Sequence, residues 1–131
     1  MADQNKPAAG SGHKAVSIQE HGPGIKVKWY VDALIEGHVY HGFIKYLSLY
    51  GTEIFLDLNL SQVKTIRLRI HVPPPSRTSQ PRFIETAGDV LFTSYDSKEA
   101  MFHIGVHFTG FKEEADRHYL ESRIAAFNKT K

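Results

Sequence analysis

The chain has 131 residues, of which 41% are hydrophobic and 23% charged, with a formal net charge of +2 and no cysteine. This length suits one domain with a single core, and the small charge does not predict a nucleic-acid-binding protein. The absence of cysteine excludes disulfides, thiolate metal sites and thiol catalysis. With no apolar run of about 20 residues and no secretory signal pattern, we expect a cytoplasmic protein without membrane insertion.

The first part of the chain has little to bury. Residues 1–24 (MADQNKPAAGSGHKAVSIQEHGPG) are rich in Gly, Ala, Ser and Pro. Their last four residues, HGPG, are typical of a segment that interrupts regular secondary structure. This composition predicts a flexible N-terminal tail over residues 1–24 and a folded domain over residues 25–131.

From residue 25 onward, apolar and polar residues alternate with the period of two that is typical of strands. Six stretches carry this pattern: 25–35, 38–48, 52–58, 63–72, 83–95 and 101–108. Turns are predicted at Glu36-Gly37, at 48–51 and at 96–100, a long polar loop at 73–82, and a bulge at Gly88. Six short strands joined mostly by hairpin turns predict a small antiparallel barrel or sandwich.

The last twenty residues, KEEADRHYLESRIAAFNKTK, change to a helical period. Tyr119, Leu120, Ile124 and Phe127 fall on one face of a helix. Acidic residues lie in the predicted first turn and lysines beyond the last turn, as the helix dipole favours. The fold class predicted is therefore mainly β: a six-stranded antiparallel β-barrel with a C-terminal α-helix.

The sequence carries no recognisable motif for a metal site or for catalysis. His38 and His41 would point to opposite faces of a strand, and His103 and His107 would lie about 13 Å apart along another. The chain has no nucleophile elbow, no phosphate loop and no dinucleotide-binding fingerprint. These features predict a binding module with neither a metal site nor an enzymatic activity.

Two motifs resemble the PilZ family, bacterial six-stranded barrels that bind cyclic dimeric GMP (c-di-GMP). The turn Tyr46-Leu47-Ser48-Leu49-Tyr50-Gly51 keeps the serine and glycine of that family's Asp/Asn-x-Ser-x-x-Gly motif, and residues 104–111 (IGVHFTGF) resemble its last strand and the turn into its helix. The resemblance spans about residues 25–127. It implies a PilZ-like barrel that works in c-di-GMP signalling, with an effect on motility, pili, exopolysaccharide or biofilm.

The chain departs from the family at the residues that would grip the nucleotide. Tyr46 stands in the place of the Asp or Asn, and residues 1–66 contain no arginine for the family's Arg-x-x-x-Arg motif. Lys26 and Lys28 are the cations near that position, and a lysine lacks the planar fork with which arginine binds phosphate. Each lost charge-assisted bond costs on the order of 1.5–3 kcal/mol, so we expect weak or absent c-di-GMP binding.

The candidate ligand residues are thus Lys26, Lys28, Ser48 and Gly51, and no cofactor is expected. Ser48 and Gly51 have a second interpretation as turn chemistry, because serine bonds to nearby backbone and glycine permits positive φ. A candidate protein interface comprises three tyrosines and two arginines: Tyr40, Tyr46, Tyr50, Arg67 and Arg69. The tyrosines also fit core or rim packing.

Three functional hypotheses follow. The first is a non-enzymatic adaptor that contacts a protein partner of a bacterial signalling or motility system. The second is a true c-di-GMP receptor whose cations come from Lys26, Lys28, Lys45 or residues 64–82. The third is a small barrel that binds single-stranded nucleic acid through Trp29, tyrosines and the Arg67/Arg69 stripe. The role of loop 73–82 is left open between a binding element and a disordered connection.

Overall fold

The computed structural model describes residues 24–129, which form seven strands and one helix. The predicted tail at residues 1–24 falls, apart from Gly24, outside the described residues. The elements, in chain order, are β1 (Gly24–Ile25), β2 (Tyr30–Ile35), β3 (His38–Ser48), β4 (Gly51–Leu56), β5 (Thr65–Val72), β6 (Arg82–Asp96), β7 (Met101–Phe111) and α1 (Glu114–Lys129).

The six longer strands close into an antiparallel barrel. Their order around the barrel is β2-β3-β4-β7-β6-β5, and a β2–β5 pairing completes the circle. The two-residue β1 is an addition that pairs with the end of β3. The predicted six-stranded antiparallel barrel with a C-terminal helix is confirmed.

The first predicted strand is broken in the structure. Ile25 pairs with Leu47 and Tyr30 pairs with Phe43, so residues 26–29 on one side face only residues 44–46 on the other. The extra residue interrupts the ladder, as in a bulge. A single bond, from the Ile44 amide to the Trp29 carbonyl at 2.8 Å, links the two segments there.

The alternation predicted the core well on β5 but not on β4. The four apolar residues Ile66, Leu68, Ile70 and Val72 are buried inside the barrel, as expected. In β4, by contrast, all six residues are buried. Its outer face is covered because the Phe55 ring is sandwiched between Phe43 and His103, with ring centroids 5.2 and 5.3 Å away.

The helix α1 closes one side of the core. Leu120 and Ile124 are buried against the apolar side chains of the barrel. Asp116, in the first turn of the helix, accepts a hydrogen bond from Arg82 at 2.9 Å, and the Arg82 guanidinium lies 4.4 Å from the Tyr119 ring centroid. Within residues 24–129, no helix has the length and apolar character needed to cross a membrane.

Candidate functional site

The hydroxyl of Ser48 is used inside its own turn. Its side chain is fully buried. The Ser48 Oγ accepts bonds from the backbone amides of Tyr50 at 3.1 Å and Gly51 at 3.3 Å, and it donates to the Gly51 carbonyl at 3.3 Å. A hydroxyl with these partners, enclosed by protein, stabilises the connection between β3 and β4 and does not face solvent.

Gly51 is required for a different reason than the one expected. Of the glycines in the described range, only Gly37 has a positive φ, so the expectation of a positive φ at Gly51 is wrong. Instead, a Cβ at Gly51 would clash with the carbonyl oxygen of Val106 on β7. The residue is a glycine because two backbones approach closely where β4 starts.

Tyr46 fills the space beside this turn. A Cβ at Gly24 would clash with the hydroxyl and ring of Tyr46, which shows that the phenol lies directly against the backbone of β1. Burial, followed by the nearby charge of Glu53, raises the pKa of Tyr46 above its ordinary value. The position that carries Asp or Asn in the PilZ motif therefore holds a neutral, half-buried ring, and it offers no carboxylate or amide.

Lys26 and Lys28 lie elsewhere, in an open groove of about 420 Å³. We call this the lysine groove. Its walls come from the break before β2, from β3 and β4, and from the β6–β7 turn. Its lining residues are Lys26, Val27, Lys28, Phe43, Ile44, Lys45, Phe55, Asp96, Lys98 and Glu99.

The lysine groove combines cations with an aromatic floor. Lys45 sits at a bulge, since the register of β3 against β4 shifts between Ile44 and Tyr46, and its Nζ lies 5.8 Å from the Phe55 ring centroid. None of the four lining lysines pairs with an acid in the part of the chain that the structure describes. One cation over an aromatic ring, with three further lysines along the same groove, suits an anionic ligand with a flat ring.

The predicted ligand residues are thus split between two places. Lys26 and Lys28 line the lysine groove, whereas Ser48 and Gly51 do not. Lys45 was expected only as an alternative cation, and Phe43, Phe55 and Lys98 were not predicted from the sequence. The alternation of side chains along β3 and β4 could have indicated the aromatic floor of the groove. It places Phe43 and Phe55 on the same face of the sheet, where they are cross-strand partners.

The predicted interface residues do not form one surface either. Tyr40 packs against the core, while Tyr50 is 46% exposed near the other end of β3. Tyr46 lies six positions after Tyr40, which is roughly 20 Å along an extended strand. Arg67 and Arg69 share a face of β5, but both lie within 4 Å of Glu85, at 3.8 and 3.9 Å.

Asp32 joins this charged face from β2. It is buried, and it accepts hydrogen bonds from His41 Nδ1 at 2.7 Å and His71 Nε2 at 2.8 Å, with Arg69 at 3.9 Å. Burial raises the pKa of Asp32, but the bonds and charges of His71 and His41 outweigh this and hold the pKa below its ordinary value. The arginine stripe is therefore balanced locally by acids. Within residues 24–129, no three His, Asp or Glu side chains are grouped to hold a metal ion.

A second cavity, of about 300 Å³, was not anticipated from the sequence. We call it the aromatic pocket. It opens where β2, β5 and β6 meet the loop 73–81, and it is lined by Lys28, Trp29, Tyr30, His71, Val72, Pro73, Pro81 and Phe83. The alternation of side chains along β2 and β6 places Tyr30 and Phe83 on the outer face of the barrel. This pattern is the feature of the sequence from which the pocket could have been predicted.

Comparison with known proteins supports the fold. No protein-family model matches the chain, and no curated protein matches it. The inhibitor of motility MotI/DgrA of Bacillus subtilis is similar in structure, with a TM-score of 0.72 and 18% identity over 83% of this chain. The chain has a PilZ-like fold.

A second PilZ-domain protein is also similar. PlzA of Borreliella burgdorferi, whose crystal structure is a complex with c-di-GMP, matches with a TM-score of 0.53 and 12% identity over 86% of this chain. The chain spans only about half the length of each of these proteins, 51% of MotI/DgrA and 58% of PlzA. At these identities the likeness concerns the fold.

Proposed function

We propose that this protein is a non-enzymatic PilZ-like signalling adaptor that binds c-di-GMP weakly or not at all. It acts through contacts with a protein of a bacterial signalling or motility system, in c-di-GMP-linked control of motility, pili or biofilm. The support is a PilZ-like barrel whose structural neighbours include an inhibitor of motility and a protein solved with c-di-GMP. The remaining support comes from the site itself.

One observation carries the proposal. The Ser48 hydroxyl is fully buried and makes three hydrogen bonds within its own turn, so the retained serine stabilises the fold. The Tyr46 ring covers Gly24, and it supplies neither the carboxylate nor the amide that the PilZ motif carries at this position. A PilZ-like barrel with this turn keeps its shape and leaves its surfaces for protein contacts.

Calorimetric titration of the full chain with c-di-GMP tests this proposal. We expect no saturable binding, or a Kd weaker than about 10 μM. Lys26→Ala is compared with Lys129→Ala, an exposed lysine at the end of α1 and outside the lysine groove. Tighter binding that is lost in Lys26→Ala and kept in Lys129→Ala would show that the protein is a nucleotide receptor.

The lysine groove is the specific observation that favours a second candidate, a c-di-GMP receptor with a non-standard basic site. Lys26, Lys28, Lys45 and Lys98 surround a floor of two phenylalanines. Ring stacking and charge would replace the arginine fork. In that case Lys45→Ala and Phe43→Leu, the latter at the half-buried ring of the floor, would each weaken binding about tenfold, and affinity would fall as salt rises.

A further inference from the structure

The aromatic pocket is the surface that the fold and the lysine groove leave unexplained. Tyr30 is 71% exposed and Phe83 is 54% exposed, and both border this one cavity. Large apolar side chains that cluster at the surface mark interaction sites more often than single ones do. Aromatic residues around a small cavity are also the typical anchors of protein interfaces.

Three of the rings that line the pocket are held in place before any partner arrives. The His71 ring meets the Phe83 ring edge-on, with centroids 4.8 Å apart, and its Nε2 is bound to the buried carboxylate of Asp32 at 2.8 Å. Trp29 lies under the Arg123 guanidinium, 5.5 Å from the ring centroid. Because these contacts already order the rings of Trp29, His71 and Phe83, little conformational entropy is lost at those residues when a ligand binds.

The charge around the pocket has one sign. Of the described residues that line it, Lys28 is cationic and none is acidic. Arg123, from α1, donates to the Pro73 carbonyl at 2.7 Å and so adds a second cation at the edge. Asp32, the carboxylate that is bonded to His71, is buried and has both oxygens engaged by histidines. This surface complements an acidic partner.

We propose that the aromatic pocket docks an acidic, extended segment of a protein partner, which inserts one aromatic side chain between Tyr30 and Phe83. The cavity of about 300 Å³ suits one large side chain, and Lys28 and Arg123 attract the flanking carboxylates. This inference rests on the proposed adaptor function and assigns its contact surface.

Fluorescence polarisation with the full chain tests the proposal. The probe is a labelled peptide of about twelve residues made of Asp, Glu and Ser around a central Trp. Three matched peptides replace the Trp by Ser, the acids by Lys, or the whole sequence by a neutral proline-rich one. We expect the acidic Trp peptide to bind at least about tenfold more tightly than each of the others.

Point variants locate the site. Tyr30→Ala and Phe83→Ala should each weaken the acidic Trp peptide about tenfold or more, because each removes one side of the pocket. Tyr95→Ala is the matched control, since Tyr95 is 59% exposed on the same strand as Phe83 and does not line the pocket. All three residues are exposed, and circular dichroism checks that the variants remain folded.

Several results would overturn the proposal. These are equal binding of the basic or the proline-rich peptide, equal binding of the peptide without Trp, or an acidic-peptide affinity unchanged by Phe83→Ala. Light scattering tests whether the protein forms a dimer. A dimer that dissociates in the Phe83→Ala variant would show that a second copy of the chain covers the pocket instead.

The outcome is separable from that of the adaptor function. Suppose that c-di-GMP binds tightly, that Lys26→Ala abolishes this binding, and that the acidic Trp peptide still binds as expected. The expectation of weak nucleotide binding is then wrong, and the proposed docking site is unaffected. If neither the nucleotide nor the acidic peptide binds, the docking site alone is wrong.

Discussion

At the scale of single residues, the turn at 48–51 keeps its sequence motif for the sake of the backbone. Serine and glycine match the PilZ spacing, but the serine bonds to its own turn and the glycine lies against β7. The sequence was sufficient to find the turn and to propose this second interpretation. It could not show the reason for Gly51, because the contact with Val106 links residues 55 positions apart.

Replacement of Ser48 by Ala should destabilise the fold and leave nucleotide binding unchanged. The variant leaves buried backbone amides without their partner, which costs roughly 1–3 kcal/mol of unfolding free energy. Urea denaturation measures the loss, and Ser94→Ala, at an exposed position of β6, is the control. A measurable fall in c-di-GMP affinity without loss of stability would assign the hydroxyl to a ligand.

Replacement of Gly51 by Ala should lower the free energy of unfolding more than the same change at Gly110. A methyl group at Gly51 meets the backbone of Val106, whereas one at Gly110 meets no atom within 4 Å. Because a backbone carbonyl cannot move aside freely, we expect a loss of at least about 2 kcal/mol for Gly51→Ala and little change for Gly110→Ala. Thermal denaturation of the two variants compares them directly, and equal melting temperatures would contradict the close approach.

At the scale of elements, alternation predicted the strands more reliably than their interruptions. A bulge does lie beside Gly88, but its extra residue is on the partner strand: Ala87 pairs with Gly110 and Gly88 with Phe108, which leaves Thr109 of β7 without a partner in the ladder. The break at 26–29 was missed because Ile25, Val27 and Val31 keep an unbroken alternation and all three are buried. A bulge is a mismatch between two strands, and the pattern of one strand alone does not contain it.

The helix α1 was predicted from its period, and its attachment can be tested. Leu120 is fully buried against the barrel, whereas its neighbour Glu121 is exposed. Leu120→Ala leaves a cavity and should cost about 2–5 kcal/mol, while Glu121→Ala should stay within about 0.5 kcal/mol of the wild type.

Two measurements separate a loosened helix from a weakened core. Denaturation gives the free energy, and amide hydrogen exchange reports whether α1 alone or the whole barrel loses protection. Because Leu120 belongs to the same core cluster as the barrel residues, we expect both to lose protection together. Loss confined to α1 would mean that the helix is an independent unit.

At the scale of the whole molecule, the fold could be predicted and the binding surfaces could not. The order of strands and helix is local information that periodicity carries along the chain. The lysine groove and the aromatic pocket join residues from distant strands, as with Lys28, Phe55 and Lys98. Only the closed barrel brings these side chains together, so the sequence indicated Lys26 and Lys28 but not the rings beside them.

The pH dependence of global stability should depend on Asp32, which joins β2 to its two neighbours in the barrel through His41 and His71. Its pKa is lowered in the folded state, so its ionised form stabilises the protein above the unfolded pKa of about 4. That contribution is lost as the pH falls through the folded pKa. We therefore expect Asp32→Asn to be clearly less stable than the wild type near pH 5, with a smaller difference near about pH 2.5.

Urea denaturation at the two pH values measures this difference, with Asp57→Asn as the control because Asp57 is exposed beyond β4. The comparison works because protonation removes from wild-type Asp32 the charge that the Asn variant lacks at every pH, so the two curves should approach each other in acid. A difference that stays constant between the two pH values would mean that Asp32 stabilises the barrel through neutral hydrogen bonds and packing, and that its charge contributes nothing.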